Sequence, residues 1–255
     1  VKPLLVLSFA FFLKLFPPKN FKNILINSVL FVLPAFLIFK QPDLGTALSV
    51  TSIWIAQLFI SGISYWYIAG GAILSVTFLE SLPRFLHDYQ LKRLETFIDP
   101  FKDPLGSGYN VIQSIVAVGS GGILGKGLGH GTQSHLRFLP ERHTDFIFAS
   151  LAEELGVAGS LLVLLCLGSL LYRLISLATH TQSSSSRLIY IGVFSYLAFQ
   201  TFVNIGMNIG LAPVTGVTLP LISYGGSSIL STAIMLGITI SCARADQRTS
   251  LIEIK

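Results

Sequence analysis

The sequence predicts an all-α polytopic membrane protein with about seven transmembrane helices and one large extracytoplasmic loop. Hydrophobic residues make up 52% of the 255 residues and charged residues only 11%, whereas roughly a quarter of the residues in soluble domains are charged. The mean hydropathy is +0.71. The apolar residues also form long runs, more than one soluble core can bury. These observations argue against a single water-soluble domain.

Seven apolar runs predict the membrane spans in chain order. Some are shorter than the ~20 residues that cross a bilayer core, so each alone could be a buried helix of a soluble protein. Their succession, with few charges to solvate an outer surface, favours a bundle of transmembrane helices. The predicted spans are Lys2–Phe16, Ile24–Phe39, Thr46–Ile60, Ser64–Leu82, Phe146–Leu174, Leu188–Met207 and Leu219–Ala243.

The basic residues predict the orientation of the bundle, because Lys and Arg accumulate in short cytoplasmic loops. If the first span runs from outside to inside, the short outer loops hold only Lys40. The short inner segments then hold eight basic residues, which are Lys14, Lys19, Lys22, Arg173, Arg187, Arg244, Arg248 and Lys255. We therefore predict a cytoplasmic C-terminus.

Residues 83–145 form the predicted extracytoplasmic loop of a single transmembrane domain that covers residues 1–255. The loop carries seven basic and six acidic residues, and loops of this length are commonly functional or disordered. Interleaved apolar residues favour an ordered loop. Within it, Val111–Gly129 is apolar at first and then rich in glycine. This stretch predicts an interfacial or re-entrant helix with a flexible elbow.

The segment Pro140–Asp145 (PERHTD) lies where the loop re-enters the membrane. In one interpretation, Thr144 or Asp145 is the N-cap of the next helix. In the other, Asp145 is a general base or a ligand of a divalent cation, and Arg142 beside His143 neutralises phosphate. The local pattern leaves both interpretations open.

Four further polar residues are candidates for structural roles or for lining a cavity. Glu153 and Glu154 lie within a predicted span, where acidic groups need a partner or water. We expect one of them to pair with a base or a helix end. Asp43 is expected to cap the helix after it. Ser223 lies in a Gly- and Pro-rich outer turn that predicts a non-helical, cavity-lining backbone.

Several long motifs resemble the shape, elongation, division and sporulation (SEDS) family. They occur in the family's order and cover essentially the whole chain. The long loop is similar to the rod-shape-determining branch of the family rather than to the division branch. The motifs include QPDLGTA at 41–47, DPLGSGYN at 103–110, PERHTDFIFASLAEELG at 140–156 and SYGGSS at 223–228.

The resemblance implies a fold of ten spans, of which the chain holds the last seven as a fragment that lacks about three N-terminal spans. It also implies a multi-pass protein of the bacterial cytoplasmic membrane that polymerises lipid II on the outer face, as a peptidoglycan glycosyltransferase in cell elongation. The implied partners are a class B penicillin-binding protein and membrane lipids. The family's essential acid corresponds to Asp145. A family lysine corresponds to Lys2, and its acidic partner would precede Val1, so activity of the fragment alone is not implied.

Residues and resemblance together suggest Asp145 as the catalytic base, with Mg²⁺ or Mn²⁺ at Asp145 as the candidate cofactor. The candidates for binding substrate or diphosphate are Lys2, Arg142, His143 and Lys126. A flippase or other transporter of lipid-linked precursors, or a non-catalytic scaffold for the penicillin-binding protein, would explain the same composition. The net charge of +5 does not predict nucleic-acid binding, which needs basic residues clustered on a soluble face.

Overall fold

A computed structural model describes residues 1–41, 43–71, 73, 88–135 and 138–253. This part of the chain contains helices and loops but no strand, as predicted. Residues 65–71 are helical, and most of the span predicted at Ser64–Leu82 lies outside the described residues. The helices are α1 (Lys2–Leu15), α2 (Phe21–Lys40), α3 (Leu44–Ile60), α4 (Asp88–Ile98), α5 (Tyr109–Ser120), α6 (Thr132–His135), α7 (Ile147–His180), α8 (Ser184–Asn208) and α9 (Gly226–Glu253).

Within the described ranges, four helices are long and apolar enough to cross a bilayer, namely α2, α7, α8 and α9. They confirm the predicted polytopic membrane fold. The apolar helix α3 is shorter, with 17 residues. The last span begins later than predicted, at Gly226 rather than Leu219. Its predicted start is non-helical because Leu221 has a φ of 65°, which a right-handed helix cannot contain.

Residues Val1–Leu82, Leu170–Phe199 and Leu230–Lys255 belong to one compact unit. Its core includes Val6, Val50, Ile53 and Tyr196. The fully buried Gln57 side chain crosslinks the unit, since its Nε2 donates to the carbonyls of Val6 and Leu188 at 3.1 and 3.0 Å. A buried amide that reaches two other segments fixes their separation.

Residues Pro83–Ser169 and Gln200–Ile229 belong to the second unit. One of its hydrophobic clusters contains Ala117, Leu139, Phe146 and Ala149. The helix α7 is interrupted at Gly156, where φ is 65° and ψ is −162°. Glycine adopts this conformation without the steric cost that a Cβ would add.

The glycine segment, residues 119–131, is tied to α7 around this interruption. Backbone N–H groups of Lys126 and Gly127 donate to the carbonyls of Glu153 and Glu154, both at 3.0 Å. In return, the N–H of Val157 donates to the carbonyl of Gly122 at 2.9 Å. The predicted elbow after α5 is therefore present, but it is held by backbone hydrogen bonds rather than flexible. Helix α5 covers the apolar first half of the predicted segment Val111–Gly129.

Candidate functional site

Asp145 lies in the turn just before α7, and its backbone is held from another helix. Its carbonyl accepts hydrogen bonds from Asn204 Nδ2 at 2.9 Å and Asn208 Nδ2 at 3.1 Å. Both asparagines are fully buried near the end of α8. Among the residues that the structure describes, none donates a hydrogen bond to the half-buried Asp145 carboxylate. The turn is thus fixed through its main chain, and the carboxylate stays available.

The N-cap of α7 comes from Asn208, not from the turn itself. Asn208 Oδ1 accepts from the N–H of Ala149, the third residue of the helix, at 3.1 Å. The Thr144 hydroxyl instead donates to the carbonyl and the carboxylate of Glu141. The interpretation of Thr144 or Asp145 as the cap is therefore wrong. A distant amide accepts from this N–H at the helix end, and among the described residues no N–H donates to the Asp145 carboxylate, so Asp145 has no capping role here.

Ser223 has the structural role that the sequence suggested. Its hydroxyl donates to the carbonyl of Thr144 at 2.7 Å and accepts from the N–H of Leu219 at 2.7 Å. The N–H of Tyr224 donates to the carbonyl of His143 at 2.8 Å. The outer turn around Ser223 consequently supports the two residues that precede Asp145.

Two strained residues lie in the loops that meet at this turn. Glu141 and Leu221 have φ values of 49° and 65°, which are unusual for residues with a side chain. The Glu141 carbonyl accepts from Thr144 and Phe146, so this conformation closes the turn. Gly216 has a φ of 73°, and a Cβ there would lie 3.7 Å from Asp145 Oδ2. Such backbone conformations persist where the surrounding structure enforces them, often at functional sites.

The environment of Asp145 favours its protonated form. Burial raises the pKa of the Asp145 carboxyl above its usual value, and the neighbouring Glu141 carboxylate raises it further. The positive charge of Arg93 opposes both effects. A carboxyl group with a raised pKa is a stronger base once it is ionised, which suits proton abstraction.

Arg142 and His143 lie together, as predicted, at the wall of a cavity of about 310 Å³. Arg142 Nε donates to His143 Nε2 at 3.1 Å, and its Nη1 donates to the carbonyl of Ser134. Glu154 also lines this cavity, and its carboxylate accepts from the N–H of Gly129 at 3.2 Å. The cavity therefore combines cationic and anionic groups beside the Asp145 turn.

Glu153 confirms the expectation that one of the two acids pairs with a base. Its carboxylate is fully buried and lies 2.8 Å from Lys126 Nζ. It also accepts from the hydroxyl of Thr132, the N–H of Gln133, and both the N–H and the hydroxyl of Ser134. Lys126 is thus part of an internal ion pair, unlike the free diphosphate-binding cation that the sequence suggested.

Lys2 and Asp43 lie in the other unit. Lys2 Nζ is 5.6 Å from the centroid of the Tyr196 ring, a cation–π contact. Asp43 caps α3, as predicted, because its carboxylate accepts from the N–H of Thr46 at 2.9 Å.

The residue set fits a divalent cation only together with a substrate. In the described ranges, no group of three His, Cys, Asp or Glu side chains could hold a metal ion. Mg²⁺ commonly binds one or two carboxylates plus substrate phosphates and water. Asp145, with Glu141 as the neighbouring carboxylate, would be the protein's ligand in such an arrangement.

The sequence interpretation missed three residues of this site, namely Asn204, Asn208 and Arg93. The asparagines have a detectable signal, because their spacing of four places two amides on one face of an apolar helix. Buried polar groups in such a helix need partners. Arg93 has no comparable signal among the seven basic residues of its loop.

Comparisons with known proteins agree with the family resemblance seen in the sequence motifs. The FtsW/RodA/SpoVE family model, described as cell cycle protein, matches residues 1–248. Peptidoglycan glycosyltransferase MrdB of Escherichia coli K12 is 47% identical over 225 residues, which cover 88% of this chain and 61% of that protein. Stage V sporulation protein E of Bacillus subtilis 168 is 40% identical, with the same coverage of 88% and 61%. The chain thus spans less than two thirds of these relatives.

Solved structures also match. A chain of a peptidoglycan synthase complex, described for its coordination of polymerization and crosslinking, has a TM-score of 0.79 and 36% identity, covering 96% of this chain and 68% of that one. Rod shape determining protein RodA of Thermus thermophilus has a TM-score of 0.65 and 31% identity, with coverage of 96% and 64%.

Proposed function

The chain belongs to the FtsW/RodA/SpoVE family of cell cycle proteins, and on that premise we propose that it acts as a peptidoglycan glycosyltransferase. Its substrate is lipid II, which it polymerises on the outer face of the bacterial cytoplasmic membrane during cell elongation. The C-terminus lies in the cytoplasm, in agreement with the distribution of basic residues in the short loops. The similarity to a protein named peptidoglycan glycosyltransferase supports the reaction class.

The observation that carries the proposal is the state of Asp145. Its main chain is immobilised by Asn204 and Asn208, while its carboxylate has a raised pKa because of burial. A positioned general base needs both properties. Asn208, not Asp145, accepts from the N–H of Ala149 at the adjacent helix end, so the carboxylate does not serve as the cap.

In the proposed reaction, ionised Asp145 takes the proton of the acceptor sugar hydroxyl. The hydroxyl oxygen bonds to the anomeric carbon of the donor, and the bond from that carbon to the lipid diphosphate breaks. The diphosphate leaves with the bonding electrons, and Arg142, which lies beside His143, neutralises part of its charge. A bound Mg²⁺ or Mn²⁺ would supply further neutralisation of the same group.

A class B penicillin-binding protein is the proposed partner. The similar synthase complex coordinates polymerization with crosslinking, and a polymerase of this kind needs a second activity to crosslink its product.

Replacement of Asp145 tests the proposal. Asp145→Asn, made in the full-length protein, should lower lipid II polymerisation by about 10²-fold or more, the typical contribution of a general base. Asp43→Asn is the matched control, because Asn also caps helices well and Asp43 lies in the other unit. Near wild-type polymerisation by a folded Asp145→Asn protein would contradict the assignment.

Reconstituted vesicles separate this function from the alternatives. Polymer formed without lipid II scrambling supports the enzyme, whereas scrambling without polymer would support a transporter. A third outcome would support a non-catalytic scaffold. In that outcome the complex with the partner stays intact and its polymer yield does not change when Asp145 is replaced.

A further inference from the structure

A second cavity, of about 250 Å³, lies in the same unit as Asp145. Its walls are α4, the start of α5 and residues 212–214. The polar side chains that line it include Lys92, Arg93, Thr96, Ser107 and Asn110. We call it the α4 cavity.

The charge of the α4 cavity is one-sided. Its described lining residues include two cations, Lys92 and Arg93, and no carboxylate. Asn110 adds a neutral hydrogen-bond donor. The cavity at Arg142 differs, because Glu154 contributes an acid there. Positive charge combined with neutral donors favours an anionic ligand with several oxygen atoms.

Within the described residues, Lys92 has one long ion pair and Arg93 has no ion pair. The Arg93 guanidinium lies 5.6 Å from the centroid of the Tyr89 ring, a contact that orients the group and leaves its charge in place. Lys92 Nζ is 3.8 Å from Asp103 Oδ2, and both side chains are largely exposed, so this pair is weak. Asp103 is also occupied by Ser107, whose N–H and hydroxyl donate to it at 2.9 and 3.2 Å.

The α4 cavity adjoins the turn that carries Asp145. Val214, a lining residue, packs on the cluster that contains Leu139 and Phe146. Two residues further on, Gly216 approaches the Asp145 carboxylate. Arg93 also acts electrostatically on Asp145. A ligand in the cavity would therefore lie beside the reacting groups.

We propose that the α4 cavity binds the diphosphate of a lipid-linked substrate, with Arg93 as the main contact and Lys92 as the second. This inference rests on the proposed function, in which two lipid-linked saccharides react and each carries a diphosphate. Arg142 and His143 serve the leaving diphosphate, and the α4 cavity serves the other one. Two separate cationic sites thus flank Asp145 within one unit.

Isoprenyl diphosphate binding tests the site directly. Farnesyl diphosphate should bind the purified full-length protein at two sites, and Arg93→Gln should weaken one of them roughly tenfold, as expected for the loss of one charge-assisted hydrogen bond. Arg93→Lys should restore part of the affinity. Lys102→Gln is the matched control, because Lys102 is an exposed cation of the same loop, 3.8 Å from Glu95, and does not line the cavity.

Two further ligands define the chemistry. Farnesol, which lacks the diphosphate, should bind equally to all variants. Inorganic pyrophosphate should bind more weakly than farnesyl diphosphate, and equal affinity would overturn the assignment to a lipid-linked ligand.

Kinetics distinguish this inference from the proposed function. Arg93→Gln should raise the KM for lipid II roughly tenfold with a smaller change in kcat. If the wild-type protein polymerises lipid II and Arg93→Gln matches Lys102→Gln in KM and in binding, the site is refuted while the function stands. If the wild-type protein does not polymerise lipid II but binds farnesyl diphosphate more tightly than Arg93→Gln does, the proposed function is refuted while the binding site stands.

Discussion

Glu153→Gln should loosen the glycine segment and α6 while leaving the rest of the protein folded. The substitution keeps the shape of the side chain but removes its charge. In the wild type, Oε1 accepts from Lys126, Thr132 and Gln133, and Oε2 accepts from Ser134. Whichever way the new amide is turned, its NH₂ group faces donors, so at least one buried N–H loses its acceptor.

The free-energy cost of Glu153→Gln depends on how deeply the Lys126–Glu153 ion pair is buried. Removing one partner of a buried ion pair typically costs ~3–5 kcal/mol. The Lys126 side chain is 29% exposed, so water solvates part of its charge, and we expect a smaller cost of ~2–3 kcal/mol. Because ~1.4 kcal/mol corresponds to a tenfold change in an equilibrium constant, local opening should become about 30-fold more frequent or more.

Hydrogen exchange of the full-length protein in detergent measures this opening. The amides of Gln133 and Ser134 should exchange about 30-fold faster in Glu153→Gln. Glu154→Gln is the matched control, since Glu154 is only half-buried and its carboxylate accepts from Gly129. Equal exchange rates at Ser134 in the two variants, with equal thermal stability, would refute the view that Glu153 holds this segment.

Two other predictions concern the Asp145 turn. Asn208→Ala removes the cap of α7 and one of the two donors to the Asp145 carbonyl, so the free energy of unfolding should fall by ~2–3 kcal/mol and polymerisation should fall with it. Unchanged denaturation midpoint and activity would contradict this role. Glu141→Gln removes the charge that, after burial, raises the pKa of Asp145, so the acid limb of the pH–rate profile should move to lower pH. Glu95→Gln, which alters an exposed acid of the same loop, should leave that limb in place, and an unmoved limb in Glu141→Gln would exclude Asp145 as the titrating base. The raised pKa of Asp145 also affects the stability of the wild-type protein. Because the pKa is higher in the folded state, protonation of Asp145 favours folding, and this stabilisation is lost as the pH rises through the folded-state pKa.

The composition and the local sequence pattern were sufficient to predict the membrane fold and a helix cap formed by a residue close in sequence. Helix α2 follows from a long apolar run, and the Asp43 cap involves a residue only three positions away. The interpretation in which Thr144 or Asp145 caps α7 failed for the corresponding reason. Asn208 lies 59 residues from Ala149, and no local pattern reveals which distant amide will reach a helix end.

Local sequence patterns also fail to predict which basic side chains form ion pairs. The sequence marks Lys126 and Arg93 as cations of one long loop, and Lys126 rather than Arg93 is the predicted candidate for binding the diphosphate. The fold pairs Lys126 with the buried Glu153, 27 residues away, and leaves Arg93 at an open cavity. Which cation can meet a substrate is decided by tertiary contacts, and these depend on the path of the whole loop.

The interruption of α7 at Gly156 has a consequence for how the protein tolerates different bilayers. The helical part from 157 to 180 has a length of about 36 Å, longer than a hydrocarbon core of about 30 Å, so we expect it to tilt by an amount that changes with membrane thickness. An unbroken helix would transmit each change of tilt to its first residues. At Gly156 the backbone leaves the helical conformation. On the Asp145 side of this break, Asn208 accepts from the N–H of Ala149, and Asn204 and Ser223 donate to the carbonyls of Asp145 and Thr144. The position of Asp145 therefore depends on these contacts rather than on an unbroken helix, and we expect it to change little with the thickness of the surrounding lipid.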